Sequence, residues 1–354
     1  MVRTSARIAA VAAGLLLLSA CQANLTGANG GSGSSGPASK GSKHVKPSAT
    51  AQAGSATYTV YTDPQAGYAW IYHLIDGARH SIDLTMYELS DSTAEADLGK
   101  AAAAGVDVRV ILDGGYEKSA NTAAYDYLRA HHVHVAWSPS RYTITHQKTL
   151  TIDDHTTAIM TGNLTSRYYS TTRDFTVVED DPADVKAVVA TFDADYRAQA
   201  VSPGGGDHLV WSPTDSQSRL VSLISSASKR LSVENEEMDD SAITSALAAA
   251  AKRGVTVEVT MTNDDNDYAR AFDTLAAAGV HVHTYAYTAT LYIHAKVVIA
   301  DGDRMFLGSE NFSPTSLTDN RELGLITTAS GVIAPVAAAL TSDYAGAKAW
   351  TDQG

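Results

Sequence analysis

Only one of the 354 residues is a cysteine, Cys21. No internal disulfide can form, so a packed core has to hold the fold. Basic clusters are equally scarce. Asp and Glu number 39 against 26 Lys and Arg, for a formal net charge of −13, and the one loose lysine grouping is Lys40, Lys43 and Lys46. Nucleic-acid binders gain affinity from clustered Lys and Arg, so a broad polynucleotide-binding surface is disfavoured, and a local basic pocket is still allowed. The apolar run from Ile8 to Leu18 is too short to span a bilayer comfortably. Large apolar side chains are nearly missing from residues 22–56, which include Gly30-Gly31-Ser32-Gly33-Ser34-Ser35-Gly36. That composition predicts a flexible tether.

What is present at the start of the chain has the shape of an export signal. Arg3 and Arg7 precede the apolar run, and removal of residues 1–20 takes the charge to −15. The run ends in Leu18-Ser19-Ala20-Cys21, which resembles the lipobox of bacterial lipoproteins. The resemblance implies lipidation of Cys21 and attachment to the outer face of the cell membrane, with residues 21–56 as lipidated cysteine and tether. The alternative is an ordinary secreted protein with an incidental cysteine.

The remaining chain reads as one α/β unit written twice. In the first copy, residues 57–202, strands are expected at Tyr58–Tyr61, Ser81–Tyr87, Val106–Leu112 and Val133–Trp137. Helices are expected at Gly67–Ala78, Ala94–Ala104 and Asn121–His131. The second copy, residues 207–354, repeats this with helices at Ser216–Ser228, Ala242–Arg253 and Tyr268–Ala278 and strands at Leu231–Asn235, Val255–Met261 and Val280–Tyr285. Gly105-Val106 matches Gly254-Val255, and Glu88 matches Glu237, at an offset of 149, and Ser202-Pro203-Gly204-Gly205-Gly206 forms the joint. Helices between β-branched strands predict parallel crossovers in a layered fold.

The chemistry is duplicated as well. His146, Lys148, Asp153, Thr161 and Asn163 recur 148 residues later as His294, Lys296, Asp301, Ser309 and Asn311. Both His-x-Lys triplets lie in apolar, β-branched runs and are expected on strands, with the two side chains on one face about 6.5 Å apart. Asp301-Gly302 is a hairpin signal, and Asp153-Asp154 stands in the equivalent place. Seven extended residues put each aspartate up to about 23 Å from its histidine, too far for direct chemistry. Asp153 and Asp301 are therefore assigned to holding turns or neighbouring backbone. Asp174 and Glu322, each 28 residues after a histidine and following Arg173 and Arg321, fit better as carboxylates that fix an imidazole tautomer.

With these residues in place the chain resembles the phospholipase D superfamily, whose H-x-K-x4-D motif occurs twice per site and is followed by a G-S/T-x-N element. The match runs over residues 57–354. It implies a duplicated phospholipase D-like fold, two β-α-β sandwich lobes related by a pseudo-twofold axis on which the motifs meet. It also implies a phosphohistidine intermediate, with His146 as nucleophile and His294 as general acid and base. Lys148, Lys296, Asn163 and Asn311 would bind phosphate, Thr161 and Ser309 would contact substrate, and Asp174 and Glu322 would orient the histidines. Two lysines and two amides can stabilise the equatorial charge of a phosphodiester transition state, so no metal cofactor is expected. The favoured substrate is a phospholipid headgroup diester, and the chain is expected to be a monomer. Hydrolysis and transphosphatidylation are not separable by sequence. A secreted nuclease and a non-catalytic phosphate- or lipid-binding lipoprotein are the alternatives.

Met160 replaces the first glycine of the G-S/T-x-N element in the first copy, which predicts a narrowed pocket. Arg141, Tyr142, Thr143, Tyr285, Tyr287 and Tyr292 precede the histidines and are expected to line its mouth. The pairs His132/His134 and His281/His283 and the loop Asn263–Asp267 lack the further ligands of a zinc or calcium site.

Overall fold

The structure, a computed structural model, describes residues 46–351. The expected signal, Cys21 and most of the expected tether lie outside the described residues. The first half runs β1 (Ala49–Ala53), β2 (Ala56–Asp63), α1 (Ala69–Gly77), β3 (Ser81–Met86), α2 (Ser92–Ala103) and β4 (Asp107–Leu112). It continues with α3 (Lys118–Ala130), β5 (His134–Trp137), β6 (Thr149–Ile152), β7 (Thr156–Met160), β8 (Thr172–Glu179) and α4 (Pro182–Tyr196). The second half contains β9 (Leu209–Ser212), α5 (Ser216–Ser226), β10 (Arg230–Glu234), α6 (Ser241–Lys252), β11 (Thr256–Asn263), α7 (Ala269–Ala277) and β12 (His281–Ala286). After these come β13 (Tyr292–Ile293), β14 (Val297–Ala300), β15 (Arg304–Gly308), α8 (Pro314–Thr318), β16 (Glu322–Thr327), α9 (Ser330–Gly346) and β17 (Lys348–Ala349).

Each half builds a mixed sheet. The first has the order β1-β2-β8-β7-β6-β3-β4-β5, and the second β17-β12-β11-β10-β14-β15-β16-β9. The parallel part is β3-β4-β5 in one and β10-β11-β12 in the other, as the helix-strand alternation predicts. Hairpins supply the antiparallel part, β6-β7-β8 and β14-β15-β16. Strand alternation sorts the side chains into layers. Val298, Ala300 and Phe306 pack beneath α5, α6 and α7. Their neighbours Val297, Ile299, Met305 and Leu307 turn the other way, into a core shared with Tyr58, Val60, Ile159, Phe175 and Val177 of the first sheet. The result is helix, sheet, shared core, sheet, helix, and burying both faces of both sheets answers the lack of disulfides. No helix among the described residues is long and apolar enough to cross a membrane.

Helix starts repeat with the sequence. Asp91 caps α2 by accepting from the N–H groups of Thr93 and Ala94, and Asp240, 149 residues on, caps α6 through Ala242 and Ile243.

Two expectations need correction here. Residues 49–53, assigned to the tether, form β1, which pairs antiparallel with β2 over Ala49↔Val60 to Ala53↔Ala56. Backbone pairing and contact of its small alanines with the shared core hold it there, and neither depends on large apolar side chains. The His-x-Lys triplets are not strand residues. Both are extended lead-ins to β6 and β14, because their backbone bonds go to the opposite half.

Candidate active site

Those backbone bonds position the site. The N–H groups of His146 and Gln147 donate to the carbonyl of Arg321, and the N–H of His294 donates to the carbonyl of Arg173. β13, just before His294, pairs with β8 of the first sheet. Each motif is thus laid alongside the strand that carries the other half's carboxylate.

The ion pairs cross accordingly. His146 Nδ1 lies 2.9 Å from Glu322 Oε2 and 3.1 Å from the Ser309 carbonyl, and His294 Nδ1 lies 2.8 Å from Asp174 Oδ1. With Nδ1–H donated to the carboxylate, a neutral ring has Nε2 as its lone-pair nitrogen, and a protonated ring carries a transferable proton there. Both acids are themselves held. Thr161 Oγ1 donates to Asp174 at 2.6 Å, and Ser316 Oγ and Asn320 Nδ2 donate to Glu322 at 2.6 and 3.1 Å. Burial pushes both carboxyls up, yet His294 and Lys296 around Asp174, and His146 and Lys148 around Glu322, hold them below the ordinary range. Burial, with the Lys148 charge, pushes the His146 ring below its ordinary value.

The lysines are buried at the base of the site. Lys148 Nζ donates to the His146 carbonyl at 2.6 Å and lies 5.0 Å from the Tyr87 ring, whose edge also meets His146. Desolvation and the neighbouring Lys296 push Lys148 down to about 7. Lys296 Nζ donates to the His294 carbonyl at 2.6 Å and to Glu236 Oε2 at 2.9 Å. Asn311 Nδ2 donates to Glu237 Oε1 at 3.1 Å, and the side-chain oxygens of Asn163 and Asn311 are buried without a hydrogen-bond partner.

Several expected roles change. Thr161 and Ser309 are fully buried and their hydroxyls face inward, Thr161 to Asp174 and Ser309 to the N–H of Leu323. There they support the Asp174 carboxylate and the β16 strand. Met160 does not narrow the pocket, because its side chain joins the core beneath α1 and α2. At Gly308, its counterpart, a Cβ would come within 2.4 Å of both Glu310 Oε2 and Gly324 Cα. In the first copy Gly162 stands where that glutamate is. Tyr142 and Tyr285 leave the mouth to serve buried ion pairs. Tyr142 stacks on the Arg321 guanidinium at 4.3 Å, and Tyr285 donates to the Asp343 carbonyl at 2.9 Å.

Asp153 and Asp301 sit at the turns. Asp153 accepts from the N–H groups of Arg79, His80 and Ser81 at 2.7–3.1 Å, and Asp301 from those of Ser228, Lys229 and Arg230 at 2.8–2.9 Å. Both adopt positive φ, 54° and 52°, as the first position of a tight hairpin requires.

Glu236 is a site residue that the sequence reading missed. Its carboxylate contacts Lys296, lies 3.5 Å from both His294 Nε2 and Asn311 Nδ2, and accepts from Tyr292 OH at 3.3 Å. Although burial pushes it up, His294 and Lys296 hold it far below the usual carboxylate range. Beside it, burial and the Glu236 charge push Glu237 up to about 7. The offset of 149 that pairs Glu88 with Glu237 also pairs Tyr87 with Glu236, and that mismatch was the available signal.

Comparisons with known proteins bear on the family and the fold. The family model described as "Cardiolipin synthase, PLD-like domain" matches residues 71–196 and again 220–344. Cardiolipin synthase A of Pseudomonas syringae pv. syringae (strain B728a) is 31% identical over 148 residues, 38% of this chain and 30% of that protein. The match therefore spans under a third of that relative's length. Among solved structures, phosphatidylserine synthase of Haemophilus influenzae Rd KW20 aligns with a TM-score of 0.63 at 14% identity, over 80% of this chain and 85% of that one. Polyphosphate kinase of Porphyromonas gingivalis aligns with the same score and identity, over 81% of this chain and 50% of that one. These two likenesses concern the fold. With a family match in each half and the duplicated sheets around paired motifs, the chain belongs to the phospholipase D superfamily, in the family of cardiolipin synthase PLD-like domains.

Proposed function

We propose that this protein cleaves or exchanges the phosphodiester of a phospholipid headgroup through a phosphohistidine intermediate. The observation that carries the reading is the crossed pair of histidine–carboxylate contacts beside two buried lysines. His146, its Nδ1–H held by Glu322, attacks phosphorus through Nε2. As the N–P bond forms, the bond to the departing alcohol breaks and His294 Nε2–H supplies that oxygen's proton. His294 then takes a proton from water or an incoming alcohol, which attacks phosphorus and releases His146. Lys148, Lys296 and the Asn163 and Asn311 amides hold the non-bridging oxygens. The residues present suffice for this without a metal. The lipid-related relatives and the acidic surface favour a phospholipid over a polynucleotide.

Headgroup release from phospholipid vesicles in EDTA, beside exchange with an added primary alcohol, tests the reading. No headgroup release and no exchange from folded protein would sink it. In the same assay, kcat/KM is expected to fall as pH rises above about 7, because Lys148 binds phosphate only while protonated and its folded-state value is about 7. Activity undiminished to pH 9 would remove Lys148 from phosphate binding. Cys21 is proposed as the lipid anchor, so Cys21→Ser should move the full chain from membranes to the soluble fraction. Unchanged membrane partition would refute that.

A further inference from the structure

The two halves repeat their histidines, lysines and amides but not the group that faces them. Tyr87 presents a neutral ring to His146 and Lys148. At the matching place Glu236 presents an ionised carboxylate to His294, Lys296 and Asn311. It is not free to drift, since Lys296 holds one oxygen at 2.9 Å and Tyr292 the other at 3.3 Å, with 23% of the side chain exposed.

A second anion arriving at the same three donors therefore meets a fixed negative charge in a poorly hydrated site, where like charges interact strongly. A phosphodiester carries one negative charge, and its ester groups are neutral. A phosphomonoester at neutral to alkaline pH carries two. We propose that Glu236 is a specificity-determining residue, a charge filter that admits monoanionic phosphodiesters and turns away dianionic phosphomonoesters. The inference rests on the phosphodiester reading above and adds what that reading leaves open. Where the site cleaves a diester to a lipid phosphomonoester and an alcohol, the product gains a charge and Glu236 favours its departure. The ester group next to Glu236 is best accommodated when it offers a hydroxyl or ammonium donor to the carboxylate.

Equilibrium binding of two probes at pH 8 tests this without needing turnover. Inorganic phosphate is there mostly a dianion, and dimethyl phosphate is a monoanion. Glu236→Gln keeps the shape and removes the charge, and Glu236→Tyr copies Tyr87 as a second neutral variant. Both are compared with wild type in the full chain, with thermal melting to confirm folding. Relief of like-charge repulsion should tighten inorganic phosphate by about tenfold or more in a folded neutral variant, with dimethyl phosphate changing by less than about threefold. Equal changes for both probes, or none for phosphate, would overturn the filter and leave the diester reading standing. Failure of every folded variant to bind either probe, at pH 8 and again at pH 6 where Lys148 is charged, would instead overturn the phosphate site itself, and the filter with it.

Discussion

Replacing His146 or His294 with alanine is expected to lower phosphodiester turnover by about 10³-fold, within the range that loss of a nucleophile or a proton-transfer group produces. The two losses should differ in kind. Without His146 no N–P bond forms, so a denaturing quench at alkaline pH, where a phosphohistidine survives, should capture no covalent adduct. Without His294 the attacking nitrogen is intact, and both departure of the alcohol and attack by water slow. With an activated diester whose leaving group needs no proton, His294→Ala should accumulate the adduct. The crossed geometry makes the same experiment informative about orientation. Glu322 serves His146 and Asp174 serves His294, so Glu322→Gln should impair adduct formation and Asp174→Asn its breakdown. An adduct trapped on His294 in the His146 variant would reverse the two roles.

The sequence carries the fold because the chain states it twice. Strand and helix positions at offsets of 148 and 149 confirm one another, and the second half was readable from the first. Repetition has a matching blind spot, since it shows where copies agree. Tyr87 and Glu236 occupy one position with different chemistry, so a search for matches passes over the residue that makes the site asymmetric. Contacts between halves were hidden for another reason. Spacing places each carboxylate 28 residues after the histidine of its own copy, but the backbone bonds from His146 to Arg321 and from His294 to Arg173 bring each histidine to the other copy's acid. Thr161 and Ser309 flank the amides in the sequence, and only the packing shows their hydroxyls turned inward. The β1 strand was concealed by Ala, Thr and Gln, whose pairing with β2 comes from the backbone.

Arg321→Met is expected to cost ~3–5 kcal/mol of stability, the usual penalty when one partner of a buried ion pair is removed. The Arg321 guanidinium is 1% exposed and its Nε donates to Asp195 Oδ2 at 2.8 Å, from the second half to α4 of the first. The related pair runs the other way, Arg173 Nε to Asp343 Oδ2 at 2.5 Å, and both arginines and both aspartates are spaced by 148 residues. The 148-residue spacing marks arginines and aspartates alike but does not show that they pair, since the acids lie on α4 and α9 and meet the arginines only after the halves pack. Neither arginine is available to bind phosphate, since each is spent on an aspartate. Their structural place is nevertheless next to the chemistry. The Arg321 carbonyl receives the His146 N–H, and Glu322 follows it in the chain, so a shift of Arg321 moves His146 and its carboxylate together. Stability should be read by denaturant unfolding, and activity at a temperature where the variant remains folded. An activity loss that persists there, and partial recovery of stability in Asp195→Asn/Arg321→Met relative to Arg321→Met, would follow from an uncompensated Asp195 charge. A single variant as stable as wild type would show that the pair contributes nothing to joining the halves, and the shared apolar core would then have to do so alone.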